Sequence, residues 1–109
     1  ANPDVNMFLS HNDAPCAGIS QAIRAAGNEP EDIWCGGLDG SLLWMEKLLS
    51  GDAYGATAAL NLVQIGRDTV NIAANLIEGS GPTDSVQPYD ILTNDTPELL
   101  QEFMAQYDE

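Results

Sequence analysis

The stretch Gly36-Gly37-Leu38-Asp39-Gly40-Ser41 holds the residues best suited to grip a polar ligand. It follows the short apolar run Ile33-Trp34-Cys35 and precedes Leu42 to Leu49, whose apolar residues keep helical spacing. A carboxylate at a strand end, flanked by glycines and followed by a helix start, sits where open α/β sheets bind ligands, outside the carboxyl ends of their strands. The glycines let backbone and ligand approach closely, and Ser41 is placed to cap the following helix. A second polar cluster, Ser10-His11-Asn12-Asp13, follows the run Val5 to Leu9 one βα unit earlier. In a parallel sheet these two strand ends share an edge, so Asn12 and Asp39 are expected to point into one crevice. An ionised carboxylate accepts two hydroxyl hydrogen bonds, and charge-assisted bonds are the stronger kind. An amide donates and accepts at once, which suits neighbouring hydroxyls.

Each of these residues also has a plainer use. An aspartate before a helix commonly caps it or stabilises a turn, and Asp39 stands in such a place. Asp13 reads as the cap of a helix beginning at Ala14. His11, the single histidine, reads as a hydrogen-bonded structural residue, because no Ser or Cys motif accompanies it to form a triad. No spacing marks two of the acids as a general acid and base. Cys16 and Cys35 are either a disulfide formed in an oxidising compartment or two buried small apolar residues. Neither has metal-ligand spacing, and Cys16 at a helix start reads as buried rather than reactive. No cofactor, metal or enzymatic activity is expected.

The elements that must position these groups follow from punctuation and period. Val5 to Leu9 reads as a buried strand, bounded by Pro3 and the polar cluster. Cys16, Ile19, Ala22, Ile23 and Ala26 recur at helical spacing between Ala14 and Ala26, with Pro15 in the first turn and Gly27-Asn28 as a stop. A second strand is expected near Ile33 to Gly36, then a helix with Leu42, Met45, Leu48 and Leu49 on one face, ended by Gly51. Tyr54 to Leu60 is a small-residue strand, although alanine alone favours helix. The longest helix spans about Val63 to Ile77 and is broken by Gly79-Ser80-Gly81-Pro82. Tyr89 to Leu92 is a fourth strand, and Thr96-Pro97-Glu98 opens a last helix. The order βαβαβαβα predicts a parallel sheet covered by helices.

At 109 residues the chain is one domain's worth at most. Seventeen acidic residues against three basic ones give a net charge of −14, which argues against nucleic acid and anionic membrane surfaces as partners. Otherwise that acidity is a solvated surface. No window of eighteen apolar residues spans a membrane, and no signal-peptide pattern is visible. The opening Ala1-Asn2-Pro3-Asp4, almost directly before a strand, reads as a mature fragment or a domain cut from something longer.

Taken in order, the chain offers Phe-Leu-Ser-His-Asn-Asp, Gly18 and Ala22 in the first helix, Ala25-Ala26-Gly27, Gly37-Leu38-Asp39-Gly40-Ser41, and Leu49-Ser50-Gly51. Ala56-Thr57-Ala58, Gln64-Ile65-Gly66 and Leu92-Thr93-Asn94-Asp95 follow. This series resembles, over essentially the whole chain, the periplasmic sugar-binding proteins of the ribose- and galactose-binding type that serve ABC uptake systems. The resemblance covers only the last two-fifths of such a protein. It implies a three-layer α/β lobe of parallel sheet and flanking helices, flavodoxin-like and incomplete relative to the two-lobed fold. Residues up to about 60 belong to one lobe and about 61–109 cross toward the other, with crossings near Asn61 and Tyr89. In such proteins the asparagine of the Asn-Asp pair and the aspartate of the Asp-Gly pair bond sugar hydroxyls, which falls on Asn12 and Asp39. A third contact is an amide after the next strand. Ungapped alignment gives Leu60, which cannot serve, and one inserted residue gives Asn61, which we take as the third ligand.

The implied partners are a monosaccharide or related polyol, the ABC-transporter membrane subunits, and a missing N-terminal lobe or second chain. The implied location is periplasmic or extracellular, with a lipid-anchored parent protein compatible with it. Trp34, Trp44 and Tyr54 are available to cover a sugar's C–H faces, though Trp34 is expected between sheet and helix and Trp44 lies on the helix after the site. Two alternatives use the same fold. The effector-binding half of a lac-repressor-type regulator shares the Pro30-Glu31-Asp32-Ile33 lead-in, but the acidity and Asp-Gly-Ser lean toward the uptake protein. A flavodoxin-like enzyme would need a phosphate-cradling loop that the sequence lacks. Sheet edges left open by missing strands favour association.

Overall fold

The computed structural model describes residues 2–108, and its elements follow the apolar periodicity closely. They run β1 (Met7–Leu9), α1 (Asp13–Ala25), a 3-10 turn (Pro30–Asp32), β2 (Trp34–Asp39), α2 (Leu42–Ser50), β3 (Tyr54–Leu60), α3 (Leu62–Glu78), β4 (Tyr89–Thr93), α4 (Pro97–Met104) and a second 3-10 turn (Ala105–Asp108). Buried residues on α1 fall at Cys16, Ala17, Ser20 and Ile23, and on α2 at Trp44, Met45 and Leu48, each a single helical stripe. The strand at Tyr54–Leu60 forms despite its alanines, because only small side chains fit between its packed neighbours: Gly55, Ala56, Thr57 and Ala59 are all buried.

The sheet order is β1-β2-β3-β4. The first three strands are parallel, as consecutive βαβ units predict, with Leu9 opposite Gly36 and Asp39 opposite Ala59. The expected open α/β sheet with flanking helices is thus present, with two differences. First, β4 is antiparallel to β3, and its first residue, Tyr89, lies opposite Leu60 at the end of β3. The reason lies in α3. It does not fold back over the sheet and buries none of its residues, so the chain re-enters the sheet at the edge it left and must run the other way.

Second, the helices cover one face only, giving two layers rather than three among the described residues. Residues of α1, α2 and α4 join Cys35, Ala59 and Leu92 in one core, with Trp44, Met45 and Leu100 almost wholly enclosed. The opposite face carries Met7, Leu9, Leu38 and Ile91, all exposed, Leu9 at 80% and Ile91 at 57%. The first strand is therefore not the buried strand expected: Val5, Met7 and Leu9 face solvent and only Phe8 packs toward the core. Trp34 is likewise displaced from the expected place between sheet and helix, since its ring lies over Gly36 on the open face. With α3 extended, the radius of gyration is 17.2 Å, against about 13 Å for a compact chain of this length.

Two cross-links fasten the covered half. Cys16 on α1 and Cys35 on β2 form a disulfide with Cα atoms 5.8 Å apart, which resolves the choice between bridge and buried thiols. Closing its 19-residue separation stabilises the fold by on the order of 3 kcal/mol. The Asn94 side chain accepts from the Gly55 N–H and donates to the Leu48 and Ala53 carbonyls, each at 2.8 Å. It thereby joins the end of α2, the start of β3 and the turn after β4.

Candidate functional site

The edge of the sheet at the carboxyl ends of β1, β2 and β3 collects the polar residues singled out by the sequence. Ser10 N–H bonds the Gly36 carbonyl at 2.8 Å, which carries the β1–β2 ladder one residue beyond β1. The start of α1 then lies directly over β2. A Cβ on Gly37 would stand 2.2 Å from Asp13 Oδ1 and 3.2 Å from the Asn12 carbonyl oxygen, so only glycine permits this approach. Asn12 is the N-cap residue of α1, extended at φ −154° and ψ −177°, but its side chain makes no cap bond. Its Oδ1 is buried and meets no donor among the described residues.

Asp13 does something other than cap its own helix. It is the first residue of α1 and fully buried, and its Oδ2 accepts from Ser41 N–H at 2.7 Å and from the Thr57 hydroxyl at 2.9 Å. A carboxylate on α1 thus caps the neighbouring helix α2. Ser41 occupies the N-cap position of α2 as expected, yet its own side chain contributes no cap bond. Burial pushes the Asp13 carboxyl above its ordinary value of 3.8. The bonds from Ser41 and Thr57 oppose that rise, and the nearby Asp39 charge adds to it.

Asp39 ends β2 with φ 108°, and it is the one described non-glycine residue at positive φ. Gly40 follows at φ +74°, where a Cβ would also stand 2.7 Å from that of Ala59. Two consecutive residues of this kind turn the chain from β2 into α2, and a non-glycine residue held so costs about 1–3 kcal/mol. Surrounding elements hold the turn. Gly40 N–H donates to Thr57 Oγ1 at 3.0 Å, and the Tyr107 hydroxyl donates to the Gly40 carbonyl at 2.9 Å.

Asn61 directly follows β3 and is exposed, two residues past the position opposite Asp39. Its Oδ1 accepts from Gln64 N–H at 2.9 Å and caps α3, so the amide –NH2 carries its remaining donors. Leu60, the ungapped alternative, is the last residue of β3. The three aromatic candidates lie elsewhere. Trp44 is in the core with its indole N–H on the Ala56 carbonyl at 3.1 Å, while Trp34 and Tyr54 pair at the opposite end of the strands. His11 is exposed. Among the described residues no group of three His, Cys, Asp or Glu side chains could hold a metal ion, and no helix is long and apolar enough to cross a membrane.

Sequence reasoning missed Thr57 and Tyr107. Thr57 had a signal, since it is the one aliphatic hydroxyl in the strand Tyr-Gly-Ala-Thr-Ala-Ala-Leu, and a polar residue in a buried strand needs a partner. Tyr107 had none, because its partner stands 67 residues away.

No family model and no curated protein matches the sequence. Solved structures do match the fold. An ABC-transporter solute-binding protein from Bacillus halodurans C-125, with bound myo-inositol, superposes with a TM-score of 0.84 at 24% identity, over 97% of this chain and 35% of its own. The periplasmic binding protein of the arabinose ABC transporter from Shewanella sp. ANA-3, bound to α- and β-L-arabinofuranose, gives 0.69 at 27% identity, over 98% and 36%. A galactofuranose-binding protein gives 0.76 at 24% identity, over 96% and 35%. These neighbours are binding proteins, and the chain spans about a third of each. The chain has the fold of roughly a third of such a binding protein.

Proposed function

We propose that this chain is the C-terminal portion of a solute-binding protein for ABC-transporter uptake, and that its sheet edge takes a monosaccharide or related polyol. One observation carries the reading: Asp39 is held at φ 108° by groups from β3 and the C-terminal turn. Backbone strain that the surroundings maintain at a strand's carboxyl end is characteristic of a site prepared for a ligand. In this role the Asp39 carboxylate accepts two ligand hydroxyls, and the amides of Asn12 and Asn61 address hydroxyls beside them. The myo-inositol and arabinofuranose held by the neighbours are ligands of that chemistry.

The partner reading has separate support. The bare sheet face and the α3 arm, whose Val70 and Ile77 are 69% and 87% exposed, suit a division with residues 1–60 in one lobe and 61–109 crossing toward the other. The remaining lobe covers both surfaces, and transporter membrane subunits receive the loaded protein. The Cys16–Cys35 bridge fits a periplasmic or extracellular location.

A thermal-shift series with myo-inositol, L-arabinose and D-galactose tests the ligand class. A binder at a hundredfold excess over its Kd adds about 2.7 kcal/mol of stability. That gain is expected to vanish in Asp39→Ala and Asn12→Ala. A cooperative melt that no such compound moves, with α3 and the open sheet face covered by the remaining lobe, contradicts the reading.

A further inference from the structure

We infer that Tyr107, with Thr57 as its counterpart on the other side of the chain, is a positioning residue that holds Asp39 in its ligand-gripping conformation. The inference rests on the proposed role of Asp39 and extends it to residues that meet no ligand. The peptide units around Gly40 are gripped from two directions. From β3, the buried Thr57 hydroxyl accepts the Gly40 N–H at 3.0 Å and donates onward to Asp13 Oδ2 at 2.9 Å. From the C-terminal 3-10 turn, the Tyr107 hydroxyl donates to the Gly40 carbonyl at 2.9 Å. Asp13 Oδ2 then takes the Ser41 N–H at 2.7 Å. Three hydrogen bonds from three separate segments therefore converge on Gly40 and Ser41, immediately after the positive-φ residue, and the Thr57–Asp13 bond ties two of the holding groups together.

The geometry of Tyr107 makes it a donor here. Its ring packs at a tilt of 59° on Phe103, with centroids 6.5 Å apart, and this anchors the phenol beneath the turn. Burial, together with the carboxylates of Asp13 and Asp39, pushes its ionisation upward, so it stays protonated. Releasing the Gly40 carbonyl frees the Gly40–Ser41 peptide, and losing the Thr57 hydroxyl frees the Asp39–Gly40 peptide. Either lets the strand end relax toward commoner backbone angles, which turns the Asp39 carboxylate away from its place at the edge.

Tyr107→Phe removes the single O–H and keeps the ring. Thr57→Ser keeps the hydroxyl, whereas Thr57→Val keeps the shape and loses it. Two readouts are taken on each variant: the Kd for myo-inositol or L-arabinose by calorimetry, and the backbone NMR resonances and amide exchange of Asp39, Gly40 and Ser41. Loss of one net hydrogen bond predicts binding weaker by about three- to tenfold in Tyr107→Phe and Thr57→Val, with Thr57→Ser close to wild type. The same two variants are expected to shift the Asp39 and Gly40 resonances and speed exchange at Gly40. Weaker binding with those resonances unmoved would overturn the inference, as would unchanged binding with unchanged exchange. If wild type binds neither compound, the ligand reading fails alone. The NMR arm then still decides, because displaced Asp39 and Gly40 signals in Tyr107→Phe support the positioning role and static ones overturn it.

Discussion

Helices α2 and α3 carry similar apolar stripes and meet opposite fates. On α2, Trp44, Met45 and Leu48 are all but wholly enclosed, whereas α3 buries no residue although Ile65, Ile72, Leu76 and Ile77 recur at helical spacing. The difference lies in what the flanking strands do. The strands on either side of α2 are adjacent and parallel, so a short connection must lay the helix back on the sheet. Those on either side of α3 are antiparallel, so the same edge is left and re-entered, and the helix projects from it. An apolar stripe establishes that a helix has something to bury. Topology decides whether this chain supplies the cover.

The sharpest way to break that comparison is to delete matched side chains. Leu48→Ala is expected to cost about 2–5 kcal/mol in denaturant unfolding, because it leaves a cavity in the core. Leu76→Ala on the α3 arm is expected to stay within about 0.5 kcal/mol in this chain alone. Comparable losses would mean that α3 is packed in solution.

A smaller effect of opposite sign separates the site from the core. Asp39→Gly places at φ 108° the residue that tolerates it, so unfolding free energy is expected to rise by about 1 kcal/mol while sugar-dependent stabilisation disappears. A destabilised Asp39→Gly would remove strain from the account.

The smallest effect is one of pH. Below 3.8 the Asp13 carboxyl is protonated in both folded and unfolded chains. As pH rises past that value the unfolded chain ionises first and the folded chain only later, so ionisation pulls toward unfolding across the interval. Asp13→Asn does not titrate. Its stability relative to wild type is therefore expected to improve as pH climbs from 3.8 through the raised folded value and then to level off. Parallel denaturation curves for the two proteins at several pH values read this directly, and a constant difference would contradict it.

Most of the architecture was legible because it is local. Pro15, Gly27, Gly51 and Gly79 bound helices whose stripes are visible at spacings of three and four, and those helices form within a residue or two of the expected limits. The polarity of β4 was not legible, since Tyr89 to Leu92 reads the same in either direction and only the path of α3 sets it. Nor was the exposure of β1, because Val5 to Leu9 is an apolar run whether or not a helix layer covers it. Of the candidate site, the Asn-Asp and Gly-Gly-Leu-Asp-Gly-Ser stretches fall together at the carboxyl ends of β1 and β2, the shared edge their order in the sequence implied. The role of Asp13 was misread, because a carboxylate at a helix start looks like that helix's own cap, and its actual partners Ser41 and Thr57 lie 28 and 44 residues away.

The central claim is that a prepared Asp39, beside Asn12, grips a polyhydroxylated ligand. An NMR titration of the chain with myo-inositol and L-arabinose addresses it most directly. The account predicts saturable shifts of the Asp39 and Gly40 amides and of the Asn12 side-chain –NH2, absent in Asp39→Ala. Saturable shifts confined to other parts of the molecule, with the Asp39 and Asn12 signals unmoved, would contradict it.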